Sequence, residues 1–164
     1  MILRDPAEAL DPRMRTVWAV EGAIVSAVLG LVVAAAVVVL VLMDASTAAW
    51  IVGVVGAAAV IVSALVLVWL LPVLNHRHFR FEVTELGLYV ARGWLWRQWQ
   101  VVPHARIQTV DIKVGPLLRT FGLVAVQVAT AAAGGGTEIP GLAPGEADAL
   151  VEELARRAGI EEGT

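Results

Sequence analysis

Few residues of this chain could carry out covalent chemistry. The sequence has no cysteine, which excludes thiolate catalysis, disulfides and cysteine-based metal sites. The three serines, Ser26, Ser46 and Ser63, lie in or between two long apolar runs. Residues 134–136 are glycines but lack the strand-to-helix setting of a phosphate-binding loop. The carboxylates of the later part of the chain show no pairing pattern: Glu82, Glu85, Asp111 and Glu138. We therefore expect a protein that is not an enzyme.

Two histidines, His76 and His78, stand on either side of Arg77 after the second apolar run. On a strand, residues two apart face the same side, so this pair could bind a metal ion. No third ligand is evident nearby, and we favour the alternative of solvated linker residues. Arg77 and Arg80 are typical of a segment that meets anionic lipid at a membrane interface. We expect neither a metal ion nor a cofactor.

Arg106, Gln108 and Arg119 are candidates for binding an anion, because a guanidinium forms two hydrogen bonds with a phosphate or carboxylate. The first two stand at the start of a predicted strand, and Arg119 stands in a turn between two glycines. The alternative, which we favour, is that Arg119 pairs with Asp111 or hydrogen-bonds to backbone carbonyls and so fixes the turn.

Three tryptophans and an arginine are concentrated at a predicted hairpin tip that follows Gly93: Trp94, Trp96, Trp99 and Arg97. Exposed tryptophan beside arginine near a bilayer is suited to lipid headgroups or to a docking partner. Tryptophan is also often largely buried, so one or two of these rings could belong to the core. The sequence leaves both interpretations open, and it favours Trp94, nearest the turn, as the most exposed ring.

A membrane hairpin and a small domain must position these residues. Hydrophobic residues make up 59% of the chain, and residues 22–43 and 45–74 contain no charged side chain. Each run is long enough to cross a hydrocarbon core of about 30 Å as a helix. We predict transmembrane helices at about residues 22–43 and 48–71, after a cytoplasmic segment of residues 1–21.

Basic residues indicate the orientation of this hairpin. The connecting loop has no lysine or arginine, whereas four arginines flank the two helices: Arg13, Arg15, Arg77 and Arg80. The positive-inside rule therefore places both termini in the cytoplasm. Trp18 and Trp69 fall at the predicted inner boundary and Trp50 at the outer one, where indole rings prefer the headgroup level.

Small residues recur at intervals of four along both helices: Gly22, Ser26 and Gly30 in the first, Ala49, Gly53 and Ala57 in the second. Such stripes let helix backbones approach closely in lipid. They predict that the hairpin packs on itself or on a partner subunit, although a sequence rich in Ala and Val also produces this spacing by chance.

After Pro72 the pattern changes to short alternating runs typical of strands, at about residues 79–84, 88–92, 97–102, 107–114, 123–130 and 137–142. A short helical turn is predicted at residues 117–121 and a loop at residues 131–136. The last element is an amphipathic helix that begins at Pro144 and ends at a glycine cap, Gly159. The fold class is therefore a membrane α-hairpin followed by an α+β domain.

Three segments resemble a known family. They are Pro103-His104-Ala105-Arg106-Ile107-Gln108-Thr109-Val110-Asp111, Gly115-Pro116-Leu117-Leu118-Arg119-Thr120-Phe121-Gly122-Leu123 and Ile139-Pro140-Gly141-Leu142. In this order, after two membrane helices, they are similar to the bacterial pleckstrin-homology-like (PH-like) domains once catalogued as a membrane-flanked domain of unknown function. The resemblance implies a bent antiparallel sheet or barrel of seven strands, closed by one C-terminal helix, in residues 75–159 with a tail at 160–164.

The resemblance also implies a bacterial plasma-membrane protein without established enzymatic activity, often accompanied by a larger relative with several such domains. Our leading hypothesis is a scaffold or interaction subunit of a membrane complex, with membrane lipids and another membrane protein as partners. One alternative is recognition of anionic lipid headgroups by the basic residues Arg92, Arg97, Arg106 and Lys113. Another is an accessory subunit of an export or resistance system. Nucleic acid is not expected as a partner, because the positive charge is modest.

Overall fold

A computed structural model describes residues 6–130 and 136–159 of the protein. It divides into two compact units, a helical hairpin at Trp18–Val73 and a domain formed by the residues before and after it. Most of the predicted loop at 131–136, the tail at 160–164 and the first five residues lie outside the described residues.

The hairpin consists of helix α1, Met14–Leu42, and helix α2, Ser46–His78. Both are longer than predicted. Helix α1 starts just after Pro12, because no helix-breaking residue separates Met14 from the apolar run. Helix α2 continues past Pro72, which lacks the N–H that a regular helix requires. A π-helical turn at Leu65–Leu70 directly precedes this proline and changes the local hydrogen-bond pattern.

Several small residues of each helix face the other helix of the hairpin. A methyl group added at Gly22 would overlap the backbone carbonyl of Leu67, and one added at Gly56 would overlap the side chain of Val33. Ser63 Oγ donates a hydrogen bond to the carbonyl of Val60 at 2.8 Å and lies 3.4 Å from Ser26 Oγ. Gly22 and Ser26 of the predicted stripe thus contact the other helix of the same hairpin, and Gly56, which the stripe did not include, does so as well.

Seven strands lie in the described part of the domain, in two antiparallel sheets. The first sheet has the order β1-β2-β3-β4, with β1 at Glu8–Ala9, β2 at Arg80–Val83, β3 at Gly87–Arg92 and β4 at Gln98–Pro103. The second has the order β5-β6-β7, with β5 at Ile107–Lys113, β6 at Val124–Thr130 and β7 at Thr137–Leu142. Strand β1 was not predicted, because it precedes the first membrane helix and has only two residues.

Two further helices complete the domain, the short α3 at Pro116–Thr120 and the C-terminal α4 at Pro144–Ala158. Pro144 occupies the first turn of α4, and Gly159 ends it in the left-handed conformation, at φ 69°. One face of α4, with Ala147, Leu150 and Leu154, is buried against the second sheet. The core beneath it consists mainly of aliphatic residues on β3, β6 and β7. The predicted α+β architecture, with strands closed by one C-terminal helix, is confirmed.

Candidate functional site

The connection between β3 and β4 forms an exposed aromatic tip. Gly93 has φ +89°, and a side chain there would overlap the carbonyl oxygen of Trp96, so the turn requires glycine. Beyond it, the exposed fractions are 43% for Trp94, 64% for Leu95 and 79% for Trp96. We call Trp94, Leu95 and Trp96 the Trp tip. Trp96, not Trp94, is its most exposed ring.

The third ring of this region, Trp99, lies on β4 and is also exposed rather than in the core. On this strand Val102 points inward, and Trp99 and Val101 stand on the opposite face. The guanidinium of Arg97 lies 5.7 Å from the centroid of the Trp99 ring, a cation–π contact. Arg92 Nε donates a hydrogen bond to Gln98 Oε1 at 3.4 Å across the hairpin. The base of the tip is therefore held by one hydrogen bond across the hairpin and by one cation–π contact on its β4 side.

Strands β4 and β5 are the end strands of their sheets. In the described residues, β4 pairs only with β3 and β5 only with β6, so one backbone edge of each has no neighbouring strand. Both also expose apolar side chains: Trp99 and Val101 on β4, Ile112 on β5 and Val114 just beyond it. We refer to β4 and β5 as the edge strands. Free strand edges with apolar side chains are suited to pairing with a strand of another chain.

The proposed anion-binding residues are solvent-exposed and lie on three elements. Arg106 ends a 3₁₀ turn at His104–Arg106, Gln108 lies at an irregular register in β5, and Arg119 is in α3. Across the described ranges, the structure records no hydrogen bond among these three side chains. Within the part of the chain that the structure describes, Arg119 makes neither the ion pair with Asp111 nor the carbonyl cap that we favoured, and Asp111 instead lies 3.4 Å from Thr109 Oγ1.

The two neighbouring histidines lie on the last turn of α2 rather than on a strand. Residues two apart on a helix point to different faces, so the geometry that suggested a metal pair does not arise. His76 Nε2 lies 3.1 Å from the carbonyl oxygen of Leu10, and His78 Nδ1 lies 2.7 Å from that of Leu74. Across residues 6–130 and 136–159, no group of three or more His, Cys, Asp or Glu could hold a metal ion.

The residues assigned to the membrane interface differ in their surroundings. Trp50 and Trp69 are exposed on the hairpin, while Trp18 is half-buried. Arg77 is exposed at the end of α2. Arg80 lies on β2, and its Nη1 is buried without a hydrogen-bond partner in the described structure. Arg80 therefore belongs in part to the interior of the domain.

A set of contacts that the sequence did not predict joins residues 7–14 to the domain, and we call these residues the N-terminal clamp. Strand β1 pairs with β2, with Glu8 opposite Phe81. The amide of Asp11 donates to the carbonyl of Gly141 at 3.1 Å. Arg13 donates to the Asp11 carboxylate at 2.8 and 3.0 Å and to the carbonyl of Phe121 at 3.2 Å. The clamp thus contacts both sheets and the turn after α3.

Two carboxylates of the clamp have opposite electrostatic environments. The hydrogen bonds from Arg13 hold the pKa of Asp11 below its ordinary value. Partial burial raises the pKa of Glu8, and the nearby charges of Glu82 and Glu146 raise it further. Like charges close together disfavour ionisation, whereas a hydrogen-bonded cation favours it.

The clamp also explains one of the family-like segments. Gly141 has φ +67°, and a methyl group there would lie 2.6 Å from Met14 Cγ. Met14 is buried. The glycine is therefore required both for its backbone conformation and for the close approach of the clamp. A second family-like segment also contains a glycine with positive φ. Gly122 has φ +65°, and the next residue, Leu123, is buried in the core.

His104 is a further buried polar residue that the sequence analysis did not single out as a site. Its Nε2 lies 2.9 Å from the carbonyl oxygen of Thr84, which also accepts a hydrogen bond from Arg157 Nη1 at 2.8 Å. Because a carbonyl can only accept, Nε2 carries the proton. This shared carbonyl connects the β2–β3 turn, the 3₁₀ turn and the end of α4, which is a structural role.

Two apolar helices followed by antiparallel sheets and a C-terminal helix define a membrane-anchored protein with a PH-like domain. Residues 22–158 match the family model described as Bacterial PH domain, and the chain belongs to this family. It is similar to the UPF0699 transmembrane protein YdbS of Bacillus subtilis (strain 168), with 33% identity over 155 residues that cover 94% of each chain. No solved structure matches the chain. The expected family and its membrane location are thus confirmed.

Proposed function

We propose that this protein is a non-catalytic interaction subunit, which assembles a membrane-protein complex at the cytoplasmic face of the bacterial plasma membrane. The observation that carries the proposal is the pair of edge strands. Each has one backbone edge without a neighbouring strand, and each exposes apolar side chains. These are Trp99 and Val101 on β4, Ile112 on β5 and Val114 just beyond it. Natural proteins usually protect such edges with charge, proline or a covering element.

The charged groups on the edge strands do not cover this surface. Asp111 and Lys113 alternate with Ile112 of β5 and with Val114 just beyond it, so they stand on the other face of the strand. Pro103 and the 3₁₀ turn end β4 on one side, which limits the length of a pairing strand to about five residues. A partner strand of this length would gain main-chain hydrogen bonds from the edge and specificity from the apolar side chains.

The expected partner is another membrane protein with an exposed strand, such as a larger relative with several PH-like domains. Both proteins would then be confined to the same bilayer, which raises the effective concentration of one domain near the other. A small interface is sufficient for association under these conditions, although it would be weak between free domains.

The proposal is tested by purifying the tagged full-length protein from its native membrane in mild detergent and identifying the proteins that co-purify. The test variant is Val101→Lys with Ile112→Lys, which places charge on both edge strands. The control is Leu86→Lys, because Leu86 is 77% exposed but lies in the β2–β3 turn. We expect a membrane protein to be retained by wild type and by the control and lost by the test variant.

Salt separates this function from headgroup recognition. An apolar strand interface should survive a change from about 50 to about 500 mM NaCl, whereas binding through arginines to anionic headgroups weakens steeply. Retention of the partner by the Val101→Lys, Ile112→Lys variant, or the absence of any partner at low and high salt, would show that the edge strands are not a docking surface.

A further inference from the structure

The Trp tip is a separate surface from the edge strands, and all its side chains are large, apolar and exposed. Trp94, Leu95 and Trp96 are successive residues, and at least two-fifths of each side chain is exposed. The turn is set by Gly93, by the cross-strand hydrogen bond between Arg92 and Gln98 and by the cation–π contact of Arg97 with Trp99. Its exposure is therefore a property of the folded hairpin, and the core does not use these side chains.

The charge around the tip has one sign. Residues 86–110 contain Arg92, Arg97 and Arg106 and no Asp or Glu, although the whole chain has a net charge of −3. Arg92 ends β3 just before Gly93, and Arg97 follows Trp96 directly, just before β4 begins. A surface that combines tryptophan, leucine and arginine is complementary to an anionic bilayer. Indole rings prefer the headgroup level, leucine enters the acyl region, and arginine pairs with phosphate.

We infer that the Trp tip inserts into the interfacial layer of an anionic bilayer, with Arg92 and Arg97 at the lipid phosphates. The membrane anchor of the chain explains why a tip of three residues is sufficient for binding to the bilayer. The chain belongs to a family of membrane proteins, and its two apolar helices anchor the domain to the bilayer. Insertion of the tip is therefore an intramolecular event at high effective concentration. The domain would then have a second contact with the membrane, independent of the protein partner proposed above.

The absence of cysteine allows a direct test on the full-length protein. Leu95→Cys is labelled with the environment-sensitive fluorophore NBD and placed in nanodiscs of POPC and POPG, and this variant keeps both tryptophans of the tip. The matched control is Leu86→Cys, which is 77% exposed in the β2–β3 turn, next to the acidic Glu85. Doxyl-labelled lipids then report whether each fluorophore lies within the bilayer.

We expect doxyl lipids to quench the label at residue 95 about threefold more than the label at residue 86, with a blue-shifted emission, as for a group at the bilayer interface. Quenching at residue 95 should fall in nanodiscs of POPC alone. It should also fall when Trp94→Ala and Trp96→Ala are added, and size-exclusion chromatography checks that these variants remain folded.

Equal quenching at the two positions in every lipid composition overturns the inference. So does a label at residue 95 that becomes shielded only after the co-purifying membrane protein is added, since the tip would then belong to a protein interface. Neither result bears on the edge strands, which are tested by the lysine variants without any change at the tip.

Discussion

At the scale of single residues, the N-terminal clamp contains two carboxylates whose ionisation has opposite effects on stability. Asp11 accepts hydrogen bonds from Arg13, and its pKa is lowered. Glu8 is partly buried near Glu82 and Glu146, and its pKa is raised. A group with a lowered pKa stabilises the folded state when it is ionised, and a group with a raised pKa destabilises it. The clamp should therefore respond to pH in a way that two substitutions can separate.

The first prediction concerns Asp11→Asn. The stabilisation from ionised Asp11 is fully present above its ordinary pKa of 3.8 and is lost as the pH falls below it toward the lowered folded-state pKa. At pH 7 the variant should have a Tm about 1–3 °C lower than wild type, because exposed ion pairs contribute little. Thermal unfolding of the detergent-solubilised protein measures this difference, which should shrink as the pH falls below 3.8.

The second prediction is that a substitution at Glu8 raises the Tm, whereas the substitution at Asp11 lowers it. Above the raised folded-state pKa, ionised Glu8 opposes folding, so Glu8→Gln should raise the Tm at pH 7 by about 1 °C. The two proteins should converge as the pH falls toward the ordinary value of 4.5, because wild-type Glu8 then becomes neutral. Glu152→Gln, an exposed carboxylate of α4, is the control. A lower Tm for Glu8→Gln at pH 7 would contradict this electrostatic account.

Sequence reasoning missed these residues for a definite physical reason. Strand β1 has only two residues, too few for an alternating pattern, and its partner Phe81 is more than seventy residues away. Gly141 was noticed as part of a family-like segment, but the sequence does not show that Met14 lies against it. Local patterns encode local elements, whereas the clamp depends on contacts between distant segments.

At the scale of elements, the glycines of the hairpin differ in how closely the opposite helix approaches them, a difference that the sequence did not show. Gly22 and Gly56 have no room for a methyl group, whereas one at Gly30 would lie 3.9 Å from Val60 and one at Gly53 would lie 3.7 Å from Val37. A bulky residue at Gly30 or Gly53 would first meet the opposite helix of the same hairpin. Such a change cannot by itself identify a neighbouring channel, as the accessory-subunit hypothesis requires.

The third prediction follows from this difference. Gly22→Ala should lower the Tm of the hairpin by roughly 5 °C, because the added methyl group meets backbone that must shift. Gly30→Ala should leave the Tm unchanged or raise it slightly, since alanine favours the helix and ordinary contact is available. Thermal unfolding in one detergent compares the two. Equal effects at both positions would mean that the helices do not pack through Gly22.

The elements of the domain were largely predictable. Alternating or short apolar runs located six of the seven strands, and the caps of α4 were readable because Pro144 and Gly159 act locally. The surroundings of individual side chains were less predictable. His76 and His78 lie on a helix because α2 continues through Pro72, and Trp99 is exposed because Val102 takes the inward position of β4. Such outcomes depend on packing that a single sequence does not specify.

At the scale of the whole molecule, the clamp constrains how the chain crosses the membrane. Strand β1 precedes the first membrane helix and β2 follows the second, yet the two pair with each other. Two segments that pair as strands must be on the same side of the bilayer, so the chain crosses an even number of times between them. This agrees with two spans and does not depend on the distribution of charge. The arginines that flank both helices then favour the cytoplasm for that side.

The binding partners are the least predictable property of the protein, because contacts within the chain do not encode them. Exposed Val101 and Ile112 show where a surface is available, and they do not specify which protein covers it. Family membership adds the architecture and the membrane location. The proposals above therefore rest on the chemistry of exposed groups, and each has its own experiment.

The fourth prediction tests the topology itself. Asp44→Cys places a thiol in the exposed loop between α1 and α2, and Leu86→Cys places one in the exposed β2–β3 turn of the domain. A membrane-impermeant maleimide should label Asp44→Cys in intact cells and should label Leu86→Cys only after lysis, because the positive-inside rule predicts a cytoplasmic domain. The cysteine-free wild type is the background control. Labelling of Leu86→Cys in intact cells would invert the orientation and, with it, the membrane face at which both proposed surfaces act.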